Sequence, residues 1–115
     1  TPLQGTLSQA LAGPAYLGLD AVIERLPLGY RTPMSDLHTC WSKGMLQKVD
    51  LSRAINTASH WYLLDEACCH VSLEDEKMFY RLLRHRAPDA LIIMVSHRRI
   101  LLDDIDSNVK IVAMG

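Results

Sequence analysis

Apolar residues along this chain follow two rhythms, one at helical steps of three and four, the other in short unbroken runs. Over residues 19–26, Val22, Ile23 and Leu26 share one helical face. Pro27 and Gly29 end that segment, because proline lacks the amide hydrogen a helix interior needs. Over residues 43–57, Leu46, Val49, Arg53 and the Ala54-Ile55 pair recur at the same steps and predict a second helix. Ser42 can cap it, its hydroxyl accepting from an amide of the first turn. Ser72-Leu73-Glu74-Asp75 fits a capping box, and the helix that follows carries Met78, Phe79, Leu82 and Leu83 on one face until Pro88 closes it. Residues 61–64, 90–95 and 109–113 are continuous apolar runs and predict buried strands. Residues 1–18 read as loop with one short helix, and residues 31–40 as irregular, with Pro33 and a Ser35-Asp36 turn. Strands alternating with helices predict an α/β fold, with a parallel sheet and right-handed crossovers.

Composition narrows the reading. With 115 residues the chain is one domain or part of one, and 49% hydrophobic with 22% charged residues makes it globular. A formal net charge of -1 gives no electrostatic reason to expect nucleic-acid binding. The longest aliphatic run, residues 90–95, falls far short of the ~20 residues of a membrane span. Thr1 opens no secretory signal pattern, and the missing initiator Met fits a processed or fragmentary chain. Cys68 and Cys69 are adjacent, a spacing that rarely permits a mutual disulfide, and Cys68-Cys69-His70 lacks the intervening residues of a zinc site. The three cysteines read as reduced thiols.

The candidate chemistry sits at the ends of the predicted strands. Asp65 and Glu66 follow the first run, at the edge where open parallel sheets bind ligands. A carboxylate at Asp65 can hold Mg²⁺, which prefers oxygen ligands, and Glu66 can orient or deprotonate a water. His97 follows the next run, and an imidazole on a neighbouring strand end could contact a γ-phosphate or the attacking water. Ser42 and Gly44 open a helix, whose free amides and partial positive charge suit phosphate. Each feature also has an ordinary reading: a chance Asp-Glu after a strand, a surface histidine beside Arg98 and Arg99, a plain helix cap.

The joint pattern resembles the C-terminal half of an exporter-type ATP-binding cassette (ABC) nucleotide-binding domain over essentially the whole chain. Gly5-Thr6-Leu7 resembles the segment just after the family's glutamine loop, and Leu26-Pro27-Leu28-Gly29-Tyr30 with Thr32-Pro33 resembles the lead-in to its signature. Residues 41–47 fill the signature position, and Ser52-Arg53-Ala54-Ile55 resembles the family's "Ala-Arg-Ala-Leu". Residues 61–66 look like Walker B plus the catalytic glutamate, residues 68–72 the D-loop, and residues 95–98 the histidine switch. Residues 109–115 resemble the closing strand and its "Leu-x-x-Gly" end.

The resemblance implies a partial P-loop NTPase-type parallel sheet with part of the ABC helical subdomain. Residues 1–58 would be the helical subdomain and signature helix, and residues 59–115 the Walker B, D-loop and histidine-switch segment. It implies that Asp65 binds Mg²⁺, Glu66 activates water, His97 contacts the γ-phosphate of ATP, and Ser42 and Gly44 serve the opposite site of a head-to-tail dimer of nucleotide-binding domains. The attached partner would be a transporter's transmembrane domain, placing the chain at the cytoplasmic face of a membrane, where ATP hydrolysis powers export.

The departures are equally specific. Lys43 replaces the first signature glycine, Met45 and Leu46 replace the usual glutamines, and Ser72 stands where the D-loop has Asp. No Gly-x-x-x-x-Gly-Lys-Ser/Thr phosphate loop occurs in the sequence. The isolated chain is therefore expected to be inactive, and to act as an ATPase only when completed by a phosphate-loop half. A degenerate, non-hydrolytic cassette serving as a regulatory or docking partner is the first alternative; a small α/β interaction module is the second. In folds of this type the phosphate-loop strand lies between the histidine-switch strand and the closing strand. Residues 109–113 are thus expected to leave an unpaired edge inside the sheet, unless the chain belongs to a larger polypeptide or rearranges.

Overall fold

A computed structural model describes residues 4–96 and 109–113. Its elements run α1 (Leu7–Leu11), α2 (Leu19–Glu24), a 3-10 turn (Gly29–Arg31), α3 (Met34–Cys40), α4 (Lys43–Asn56), β1 (Trp61–Asp65), α5 (Leu73–Arg86), β2 (Leu91–Ser96) and β3 (Val109–Ala113). The chain divides into two compact units, residues 1–57 and 58–115.

The first unit is helical and gathers around a single apolar cluster. Leu7, Ala10 and Leu11 of α1, Leu19 and Ile23 of α2, Met34 and Leu37 of α3 and Val49 of α4 are all buried in it. Thr6 and Gln9 form a reciprocal capping box at α1: the Thr6 amide donates to Gln9 Oε1 at 2.9 Å, and the Gln9 amide donates to Thr6 Oγ1 at 3.4 Å. Helix α2 ends at Glu24, two residues before the predicted limit. Its last turn tightens, with the Arg25 amide on the Val22 carbonyl and the Leu26 amide on that of Ile23.

The irregular stretch expected over residues 31–40 is corrected: it contains α3. Pro33 sits just ahead of the first turn, where its missing amide hydrogen costs nothing. Met34 and Leu37, three residues apart, are fully buried, and the Met34 amide donates to the Gly5 carbonyl at 3.0 Å. Burial of that short apolar face outweighs the local turn chemistry of Ser35-Asp36.

Helix α4 carries polar anchors on its buried side. Ser52 is 0% exposed, and its Oγ accepts from the Tyr16 amide at 3.0 Å. Asn56 Nδ2 donates to the carbonyls of Leu11 at 3.1 Å and Pro14 at 2.8 Å. These bonds tie the loop after α1 to α4. Gly13 belongs to that loop, and a Cβ there would come within 2.7 Å of the Asn56 side chain.

The second unit is an α/β arrangement with a three-stranded parallel sheet in the order β1-β2-β3. Trp61 to Asp65 pair in register with Leu91 to Val95, and Ile92 to Ser96 pair with Val109 to Ala113. The expected unpaired edge is therefore not found: β3 closes directly on β2, so the middle strand has a ladder on both sides. Strand β1 is also not buried on both faces as its run of apolar residues predicts. Tyr62 and Leu64 are buried, whereas Trp61 and Leu63 are 58% and 59% exposed.

Helix α5 starts with Glu74, Asp75 and Glu76 and ends with Arg84, His85 and Arg86, charges of the right sign for each end of its dipole. Ser72 Oγ caps it by accepting from the Asp75 amide at 3.1 Å. Its buried positions are Glu76, Phe79, Tyr80 and Leu83, so the apolar face is rotated from the predicted one and Met78 is exposed. Arg84 Nη1 donates to the carbonyls of Ala87, Pro88 and Ala90, pinning the turn that leads into β2.

Candidate functional site

Strand β1 ends at Asp65, which pairs with Val95 of β2. The ladder extends one residue further: the Glu66 amide donates to the Val95 carbonyl at 2.8 Å. There the strand stops, because Glu66 adopts φ 53, a left-handed conformation that costs a residue with a Cβ on the order of 1 kcal/mol. The Cys69 amide then reaches the Glu66 carbonyl and the Val71 amide reaches that of Cys68, both at 3.3 Å. Cys68 and Val71 are buried and anchor this turn, while Asp65 and Glu66 remain exposed at its rim. The sequence thus sends two consecutive carboxylates out of the carboxyl end of a parallel strand, and the backbone holding the second is strained.

Two exposed carboxylates fit Mg²⁺ better than they fit a protein-caged metal. Among the described residues no three His, Cys, Asp or Glu side chains gather as a metal site. Mg²⁺ is commonly held by one or two carboxylates, with waters and phosphate oxygens completing its shell. His97 lies outside the described residues. Its predicted place beside Asp65 and Glu66 rests on the sequence, which puts it two positions beyond Val95.

Ser42 and Gly44 belong to the first unit. Ser42 is the cap of α4, with its Oγ accepting from the Met45 amide at 3.2 Å and its carbonyl accepting from the Leu46 amide at 3.1 Å. The hydroxyl hydrogen stays available to donate. The amides of Lys43 and Gly44 precede the first intrahelical bond, so the helix supplies them no acceptor, and they stand at its positive end. Ser42 and Lys43 are exposed and Gly44 is half-buried. Trp41, Met45 and Leu46 pack partly against the apolar cluster. The apolar residues at 45 and 46 are therefore used to seat the start of α4 on the core.

Sequence reasoning missed a buried polar group on α5. Glu76 is 1% exposed, and the Tyr80 hydroxyl donates to its Oε2 at 3.0 Å. Cys68 is buried as well, at 3% exposed. Burial pushes the Tyr80 phenol far above its ordinary range, with Cys68 and Glu76 adding to the shift. The available signal was the four-residue spacing of Glu76 and Tyr80 around Phe79, which puts a carboxylate on the apolar face of α5.

No family model matches the chain. It is similar to an ABC transporter ATP-binding protein of Streptococcus pneumoniae, 27% identical over 96 residues, or 84% of this chain and 16% of that protein. An ABC transporter ATP-binding/permease protein of Haemophilus influenzae is 31% identical over 94 residues, 82% of this chain and 17% of the relative. The lactococcin-A transport/processing ATP-binding protein of Lactococcus lactis is 34% identical over 79 residues, 68% of this chain and 11% of the relative. The similarity thus covers most of the chain, and the chain spans less than a fifth of the length of each of these curated relatives.

Proposed function

We propose that this chain is part of an exporter-type ABC nucleotide-binding domain and contributes one acid-base site and one altered signature helix to an ATPase. The observation that carries the reading is the pair Asp65-Glu66 at the carboxyl end of β1, next to the end of β2, in a chain similar over most of its length to ABC transporter ATP-binding proteins. Asp65 would hold Mg²⁺, which neutralises phosphate charge when bound. Glu66 takes a proton from, or orients, the attacking water, and His97 donates a hydrogen bond toward the γ-phosphate. Ser42 and the amides at the start of α4 receive phosphate from the opposite site. A second nucleotide-binding domain, paired head to tail, and a transmembrane domain are the partners this arrangement needs. The chain would then lie at the cytoplasmic face of a membrane; among the described residues no helix is long and apolar enough to cross one.

The test is Glu66→Gln in a domain completed by a phosphate-loop half. The change keeps the side chain's shape and removes its basicity, so nucleotide binding is expected to persist while turnover stops. Unaltered turnover would remove Glu66 from the chemistry and overturn the assignment.

One observation favours a second reading, a cassette that has ceased to hydrolyse. Lys43 stands exposed at the first turn of α4, where close backbone approach to a phosphate calls for the smallest side chain. Under that reading the completed wild-type domain shows no turnover dependent on Glu66.

A further inference from the structure

The parallel sheet has one covered face and one bare face. Side chains alternate along β1 and β2: Tyr62, Leu64, Ile92 and Met94 are buried, whereas Trp61, Leu63 and Leu91 are 58%, 59% and 42% exposed. The register pairs Trp61 with Leu91 and Leu63 with Ile93, so these four residues share the bare face as two cross-strand pairs. Asp65 closes the same face at the carboxyl end of β1 and is exposed too.

The winding of the unit gives this face no cover. The order β1-β2-β3 steps in one direction across the sheet, and right-handed crossovers that step in one direction fall on one face. Cover for the other face has to come from outside that winding. Parallel sheets are found with helices on both faces, and strands buried on both sides read as unbroken apolar runs. Trp61-Tyr62-Leu63-Leu64 is such a run. Its composition is that of a strand with two covered faces, and only one is covered here.

Two occupants compete for the place. A second copy of this chain would meet a few hundred Å² of exposed apolar surface. A stable protein–protein interface needs about 800 Å² from each partner. A second copy also loses translational and rotational freedom on docking, which an element of the same polypeptide does not. The chain spans less than a fifth of the length of its curated relatives, and its sequence holds no phosphate loop. Area and length both favour a further segment of one polypeptide. We propose that the face formed by Trp61, Leu63, Leu91 and Ile93 is the seat of an amphipathic helix from the phosphate-loop half, laid with its apolar side on the sheet. Assigning that helix to a phosphate-loop half rests on the functional reading given above; the bare face itself does not.

Thiol labelling resolved by site tests this. Leu63→Cys puts a thiol on the bare face, and Cys40, exposed in the first unit, is the internal control. In the purified 115-residue chain the introduced thiol is expected to react about as fast as Cys40. In a domain completed by a phosphate-loop half, without nucleotide, it is expected to react at least roughly tenfold more slowly, with Cys40 unchanged. Leu63→Lys is the second variant. It is expected to leave the urea midpoint of the 115-residue chain unchanged, because the side chain stays in water, and to lower that of the completed domain, where the ammonium is buried. Equal labelling in chain and completed domain overturns the proposal, as does an unchanged midpoint in the completed domain. Labelling in the 115-residue chain that slows as its concentration rises makes a second copy the occupant and overturns it as well. Neither readout needs turnover. Protection in a completed domain without Glu66-dependent turnover leaves this surface standing while the functional reading falls; Glu66-dependent turnover without protection does the reverse.

Discussion

Glu66 carries two demands that conflict. Its carboxylate is exposed at the rim of the sheet, where the proposed chemistry needs it, and its backbone sits where a glycine would sit with less strain. Glu66→Gly relieves a left-handed conformation worth about 1–3 kcal/mol, against an unfolded-state entropy penalty of about 0.5–1 kcal/mol. We expect the chain to be unchanged or stabilised by up to about 2.5 kcal/mol in urea unfolding. A clear loss of stability would mean that the Glu66 side chain holds the turn itself. Lys43 poses the opposite question. Gly at this position lets the start of α4 approach a partner's phosphate, so Lys43→Gly is expected to strengthen ATP-dependent dimerisation of completed domains with turnover blocked by Glu66→Gln. Weaker dimerisation would show the Lys43 ammonium to be a phosphate ligand in its own right. The position of Asp65 and Glu66 at the end of β1 was legible, because carboxylates after an apolar run are a visible pattern. The left-handed backbone of Glu66 was not, because its amide is held by a partner distant in sequence, the Val95 carbonyl.

At the scale of elements, α4 shows how a helix is specified by more than its apolar stripe. Ser52 lies on its buried side and is consumed by the Tyr16 amide, 36 residues away. Ser52→Ala gains roughly 0.5 kcal/mol of helix propensity but leaves that part-buried amide unpaired, at about 1–3 kcal/mol. The second effect is the larger, so we expect net destabilisation by urea titration; a stabilised variant would show that water replaces the hydroxyl. The ends of α4 and the cap of α5 were readable from Ser42 and Ser72, since capping is a local matter of one hydroxyl and one amide. Helix α3 was not, because its seven residues form around Met34 and Leu37 only when α1 and α2 are there to bury them. The strands were placed within a residue or two of their observed ends. The one-sided burial of β1 was hidden, because Trp61 and Leu63 are as apolar as the buried Tyr62 and Leu64.

For the whole molecule, sheet order decides what the chain can do alone. The parallel fold was legible from alternating strands and helices, but the neighbour of β3 was not: the expected gap is closed by a ladder from Ile92↔Val109 to Ser96↔Ala113. Closure satisfies the backbone of β2 on both sides and so makes the three-stranded sheet self-consistent. It does not supply a phosphate cradle. No Gly-x-x-x-x-Gly-Lys-Ser/Thr segment occurs in the sequence, and this kind of loop provides the backbone amides and lysine that grip the β- and γ-phosphates. Under the proposed reading, Asp65 and Glu66 without that grip have nothing held in place to act on, since phosphoryl transfer is governed mainly by positioning and charge stabilisation. We therefore expect the purified 115-residue chain to show no Mg²⁺-dependent ATP hydrolysis above background, at any nucleotide concentration up to the millimolar range typical of weak sites, about 1 mM. The measurement is phosphate release by the wild-type chain and by Glu66→Gln in parallel. Robust release by the first, abolished in the second, would show that residues 1–115 assemble a hydrolytic site by themselves, and the proposal that this chain depends on a phosphate-loop half would fall.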